Sequence, residues 1–182
     1  MPLQDYKLYT RDEVVGALYG ISLTNSVRQS YANVLANGNP GAEVGFGLAV
    51  KRTDNAAAGQ TRTAALGVNA TPDAEGDNAV AIEGLTMRQI NKQMTTVPGT
   101  GAIAYAPSEV MGVLIDGYIH VEVLAGDTGA TNAVLNAPVF VHAANGTIHS
   151  SPIAGATVQA TNLVFDRNND NGDIGLVRIS QA

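Results

Sequence analysis

The run Gly117–Val123, GYIHVEV, constrains this chain more than any other stretch. Ile119, Val121 and Val123 fall on one side of it, and Tyr118, His120 and Glu122 on the other. A period of two is the repeat of a strand with one buried face, and it does not suit a helix. The pattern resumes at Pro138, where Val139 and Val141 alternate with Phe140 and His142 before the turn Ala144-Asn145-Gly146-Thr147. The two runs are expected to lie side by side as antiparallel strands over a common core.

Shorter segments carry the same signal. In Glu43–Arg52, Val44, Phe46, Leu48 and Val50 share one face, backed by Gly45, Gly47 and Ala49 on the other. Ala64–Val68 and Ala79–Glu83 read as two more strands, separated by the turn-rich stretch from Thr71 to Asn78. Thr53–Gln60 has no pattern and reads as a loop, and Leu85–Met94 fits either a strand or one helical turn. Thr157–Phe165 and Ile174–Ile179 make a closing hairpin around the polar DRNNDNGD loop. About eight or nine short strands at intervals of roughly ten residues predict an all-β fold, either a β-sandwich or a distorted barrel. Twenty glycines, no Trp and three Phe fit a chain of many turns and modest side chains. No internal repeat is visible, which leaves no case for a propeller or solenoid.

Residues 1–40 differ from the rest. They lack alternation and carry Tyr6, Tyr9, Tyr19 and Tyr31 among polar residues. Val14, Val15, Leu18 and Ile21 have partial helical spacing, but Gly16 and Gly20 interrupt it, each costing about 1 kcal/mol against Ala. The division expected is an N-terminal arm or loosely helical extension, 1–40, followed by a β core domain, 41–182. Tyrosine brings large contact area at low entropic cost, so the arm is expected to dock on a partner. The alternative is that it folds back on its own domain.

A formal net charge of −6 opposes nucleic-acid binding, which clusters of Lys and Arg normally drive. Zero cysteines rule out a disulfide framework and thiolate metal sites. No apolar run approaches the roughly 18 residues that a membrane helix needs. The charged start MPLQDYKLYTRDE does not resemble a secretion signal, so a soluble, non-secreted protein is expected.

Candidate chemistry is sparse. In the expected pairing His120 and His142 stand on the polar faces of neighbouring strands, with Glu122 near enough to complete a three-ligand zinc site. A solvent-facing histidine on a strand is more often a plain surface residue. Asp166, Asn168, Asp170 and Asp173 imitate the start of a calcium loop, but glycine stands one place late and Val177 sits where a bidentate Glu is needed. Such a cluster also suits an ordinary hairpin loop. No Cys nucleophile, nucleophile-elbow pentapeptide or phosphate-cradling loop is present. Carboxylates such as Asp73 and Glu75 lie in loops without the apolar setting that raises a catalytic pKa. No catalytic residue, no cofactor, no metal ligand and no small-molecule substrate is assigned.

Three runs in order, VGFGLAVKR (44–52), YAPSEVMGVLIDGYIHVEV (105–123) followed by Gly126-Asp127 and PVFVH (138–142), and the closing NLVFDRNNDNGDIGLVRIS, resemble the structural cement proteins of tailed bacteriophages. That family shows an FG.AV strand, a YAPGE..VL..G.I.V.V core, a GDPVYV strand and a final GLA.V.I-type strand. The resemblance covers roughly residues 40 to 182, and the shared order of the motifs carries it. Two departures stand out: Thr128 to Ala137 separates Gly126-Asp127 from Pro138, and the N-terminal segment carries Tyr and mixed charge where the family has Gly and Pro.

The resemblance implies a virion structural protein, made in the host cytoplasm, that sits outside an icosahedral capsid and bridges neighbouring major capsid protein subunits. Such a clamp needs area and multiplicity but no catalytic group. The contact residues expected on this view are Tyr6, Tyr9, Tyr19 and Tyr31, with Lys7, Arg11 and Arg28 available for acidic coat residues. A homotrimer at a threefold junction is preferred, with a dimer as the alternative. Two rival readings are a carbohydrate-binding or tail-associated β-module and a small metal-dependent enzyme built on His120, Glu122 and His142.

Overall fold

The alternating run is half of a longer strand that organises the molecule. The computed structural model describes residues 15–18, 26–53, 62–88, 104–129, 133–168 and 174–181. Ten strands form among them: β1 (Val27–Asn33), β2 (Ala49–Arg52), β3 (Thr63–Leu66), β4 (Ala79–Val80), β5 (Gly84–Thr86), β6 (Val110–Leu124), β7 (Pro138–His142), β8 (Ile148–His149), β9 (Thr157–Phe165) and β10 (Ile174–Ile179). The fold is all-β.

The fifteen residues of β6 serve two closed rings. Its first half, Val110 to Asp116, pairs with β1, and Val113 and Leu114 pair with β5. Adding β2 and β3 closes the first ring as β6-β1-β3-β2-β5. Its second half, Gly117 to Glu122, pairs with β10, and Val123 and Leu124 pair with β8. β9 and β7 close the second ring as β6-β10-β9-β7-β8, while β4 pairs with β9 outside that circuit. Closure satisfies the ladder groups that an open sheet leaves as sticky edges.

The changeover falls at Gly117, whose φ is +133°. A Cβ there would stand 3.1 Å from Ser26 Cβ and 3.4 Å from Leu114 Cδ1, so glycine suits both the backbone and the space. Odd positions of β6 face inward along its length. Met111, Val113 and Ile115 join Tyr31, Val44, Val50, Ala64 and Tyr105 in the first ring's core. Ile119, Val121 and Val123 join the larger core of the second ring, with Val139, Val141, Ile148, Leu163, Phe165 and Val177 among its members. Each aliphatic or Phe side chain removed from water contributes about 1.5 to 3 kcal/mol.

Several expectations change in three dimensions. β6 and β7 are not neighbours: β8 lies between them on one side, and β10 and β9 on the other. Closure of the rings needs partners distant in sequence, so adjacency in the chain was a poor guide. The 43–52 segment keeps its buried face at Val44 and Val50 but is a strand only over β2, because Gly47 takes φ +70° and bends the chain. Residues 27–33 form a wall of the first ring, although they precede the expected core boundary at 41. Leu18 makes an antiparallel bridge to Ile119 after a turn at Val15-Gly16, so residues 15–18 are not helical. Of the two forms foreseen, sandwich or barrel, the closed rings give the barrel-like one. The closing β9–β10 hairpin is present as expected.

Candidate interaction surface

The seven residues expected to make contacts separate into three groups. Tyr6, Lys7, Tyr9, Arg11 and Tyr19 lie outside the described residues. Arg28 is exposed on β1, with its Nε donating to Ser26 Oγ at 3.1 Å. Tyr31 is a correction: at 1% exposure it is a core residue and offers no area to a partner. β1 pairs on both sides, and that turns alternate residues such as Tyr31 and Asn33 into the ring. Its phenol Oη donates to the Glu83 carboxylate, and Gln29 Oε1 lies 2.8 Å from that Oη. Burial, and then the Glu83 bond and charge, push its pKa up to about 12.

The described part of the N-terminal segment is fastened to the protein's own body. Gly16 N–H donates to the His120 carbonyl at 2.7 Å, and His120 N–H donates to the Ala17 carbonyl at 2.9 Å. Arg88 N–H donates to the Gly16 carbonyl at 2.8 Å. A Cβ on Gly16 would lie 2.5 Å from Phe46 Cβ, and one on Gly47 would lie 2.8 Å from Val15 Cγ1. Close approach of this strap therefore depends on two glycines, both at positive φ.

Sequence patterning did not single out the exposed aliphatic residues. Among the described residues Val134 and Leu135 are 55% and 51% exposed, and Val110 and Leu35 are 54% and 38% exposed. Val134 and Leu135 sit in the 128–137 segment already noted as an insertion. They are held firmly: Leu135 N–H donates to Asn168 Oδ1 at 2.7 Å, Asn136 N–H to the Phe165 carbonyl at 2.7 Å, and Ala137 N–H to the Val134 carbonyl at 2.9 Å. Val110 and Leu35 lie by the start of β6, Leu35 in the turn closed by its N–H to the Asn39 carbonyl at 2.9 Å. The register of β6, β10 and β9 carries the 134–135 tip towards the other end of β6. The molecule thus presents aliphatic tips at two ends of its longest strand. The place of Val134 and Leu135 in an inserted loop is the only sequence signal among them.

The histidines do not assemble as expected. His120 is buried on β6 opposite Leu176 of β10, Glu122 is exposed, and His142 lies on a strand that does not pair with β6. No group of three His, Asp or Glu residues able to hold a metal occurs among the described residues. His142 instead faces His149, with ring centroids 6.4 Å apart. In the calcium-like loop, Asn168 Oδ1 accepts from Leu135, and Asp170 and Asp173 lie outside the described residues. A cleft of about 340 Å³ opens where the rings meet, lined by Gln29, Arg52, Glu83, Ile115, Asn162 and Gln181 among others. Asn162 closes its floor through a pair of hydrogen bonds with the Ile82 backbone, 3.0 and 2.9 Å long.

Residues 2–180 match a family model described as structural cement protein (E217 gp24/Pam3 gp6). Among solved structures, a chain from the capsid of Myoviridae phage XM1 shares the fold, with a TM-score of 0.54 at 16% identity. The alignment covers 96% of this chain and 97% of that one. The search of curated proteins returned no match.

Proposed function

Since this chain belongs to the phage structural cement protein family and has a structural role in the phage capsid, we propose that it binds the outside of an icosahedral shell and clamps neighbouring major capsid protein subunits. The observation that carries the reading is the family match across residues 2–180, which takes in both rings and the N-terminal segment. The architecture supports it in physical terms. Two closed rings on one shared strand form a stiff body, and a pre-organised surface loses little freedom on binding. Many copies, each contributing a modest contact across a subunit junction, add up by avidity.

The contact residues in this reading are Tyr6, Lys7, Tyr9, Arg11 and Tyr19 of the N-terminal segment, Arg28 of β1, and the tips at Val134/Leu135 and Leu35/Val110. The segment before residue 15 runs to the coat, and the strap at 15–18 anchors it to β6. The assembly is a homotrimer at a threefold junction, as the symmetry of such a site favours. No catalytic step is part of the role. The carbohydrate-module reading finds no support here, since the large hydrophobics exposed among the described residues are Val and Leu, with no aromatic platform.

The test is to mix purified protein with shells that lack it, image them, and follow their thermal opening. Ordered density on the exterior across subunit boundaries, and opening at a higher temperature, is the expected result. Shells that stay bare at saturating protein would overturn the reading. Deleting residues 1–14 spares every described strand and the strap, and it is expected to weaken binding strongly while leaving the free protein's melting unchanged.

A further inference from the structure

The flank of the first ring carries two recesses that share Arg52. One is the cleft of about 340 Å³ where the rings meet, walled on its apolar side by Ile82 and Ile115. The other, about 440 Å³, lies between the 35–37 turn and the end of β2, and Leu35, Lys51 and Asn69 wall it. Its rims are pinned to the framework: Asn69 Nδ2 donates to the Arg52 carbonyl at 3.0 Å, and Thr53 Oγ1 to the Val34 carbonyl at 2.5 Å. Together the two recesses make a groove that runs from the ring joint past Arg52 to the aliphatic tip at Leu35.

Charge is spread unevenly over the molecule. The chain carries a net −6, and Asp73, Asp77 and Asp127 gather around the 152–155 turn, where Gly155 N–H donates to the Asp73 carbonyl at 3.0 Å and Ala154 N–H to Asp127 Oδ2 at 2.8 Å. The groove has the opposite character. Lys51 and Arg52 come to it from β2, and Arg62 stands beside them just before β3, where Thr53 N–H donates to the Thr63 carbonyl at 2.8 Å. The charges of Arg52 and Arg62 both reach Tyr31, acting against the burial and the Glu83 bond that raise its pKa, so both guanidinium groups lie on this flank. Glu83 is the one carboxylate among the described lining residues, and it accepts from the Tyr31 hydroxyl. Asp116, behind the lining residue Gln181, accepts from its N–H at 3.2 Å.

We propose that this groove seats an acidic segment of a major capsid protein subunit, which sets a carboxylate on Lys51 and Arg52 and an aliphatic side chain against Leu35. The inference rests on the clamp reading above and adds the partner's chemistry. A basic rim around an apolar wall selects such a segment by charge and rejects a cationic one. Self-docking is the poorer fit, because two copies at −6 repel each other overall.

The experiment binds wild type to shells that lack it in the presence of a carbodiimide, which joins an amine directly to a carboxylate in contact with it, and maps the products by mass spectrometry. The expected product joins Lys51 to an Asp or Glu of the major capsid protein. A Lys51 link to a second copy overturns the proposal, as does bound protein whose Lys51 stays unlinked. Shell affinity gives a second measure. Lys51→Glu is expected to weaken binding about tenfold and to flatten its dependence on salt, while Ala74→Glu, which adds negative charge at the exposed acidic corner, changes it less than about twofold. Leu35→Asp, on an exposed turn, is expected to show a comparable loss and stands in for Lys51→Glu if that variant melts below wild type. Wild-type affinity in both variants sinks the groove and leaves the clamp standing. Shells that stay bare even with wild type sink both readings.

Discussion

The two rings close the same way and are held together differently. The core inside the second ring packs, with Ala49, Leu85 and Leu114 from the first ring's strands, eighteen buried hydrophobic residues among those described, Phe165, Leu163 and Ile148 with them. The first has eight, and two of these are tyrosines. It makes up the difference with buried polar pins. Asn33 Nδ2 donates to the Ala42 and Ala106 carbonyls at 2.6 and 3.2 Å, and Thr53 Oγ1 to the Val34 carbonyl at 2.5 Å. Thr86 Oγ1 donates to the Gly45 carbonyl at 2.8 Å, and Tyr105 Oη to the Met87 carbonyl at 2.6 Å. A small ring has little apolar area to hide, so specific hydrogen bonds in a low-dielectric interior supply the missing order.

The contrast yields graded tests. The largest effect is expected for Phe165→Ala, about 4 kcal/mol, because it empties the centre of the larger core. Urea unfolding is the measurement, and a single transition is expected because β6 belongs to both rings. Two separate transitions, with the first ring surviving, would break the picture of one cooperative body. Gly67→Val comes next at about 3 kcal/mol, since a side chain there takes φ +100° and meets the Ala143 oxygen. Its melting should fall without loss of β signal in circular dichroism.

Tyr31→Phe is expected to cost about 2 kcal/mol by removing a bond to a charged acceptor. This position also separates the rings by pH. Tyr31 and Tyr105 both belong to the first core, and burial, chiefly, raises each pKa to about 12. A neutral phenol with a raised pKa contributes stability that is complete below about 10 and lost as pH climbs towards 12. The first ring is therefore the one to weaken in alkali, and the second, where burial holds the His149 pKa below its ordinary 6.5, the one to weaken in acid. Tyr31→Phe should blunt the alkaline loss in a melting series. The smallest effect is Val134→Asp, within about 0.5 kcal/mol for the free protein because the side chain is exposed. Its binding to shells should nonetheless drop if the tip meets the coat.

Alternation alone marked the inward residues of the second half of β6 and of β7, because a strand's side chains flip sides whatever the strand pairs with, and two runs around a polar loop marked the closing hairpin. The order of motifs likewise pointed to the family that the full-length match establishes. Tertiary structure decided the rest. Which strands flank β6, and that it belongs to two rings, depends on pairings between residues far apart in the chain, which no local period encodes. β1 looked like part of an arm because VRQSYAN lacks clean alternation, yet partners on both its edges make it a wall and bury Tyr31. His120 read as a surface residue and is a buried one, on a stretch of β6 whose free edge is paired by the backbone of the strap at Gly16 and Ala17.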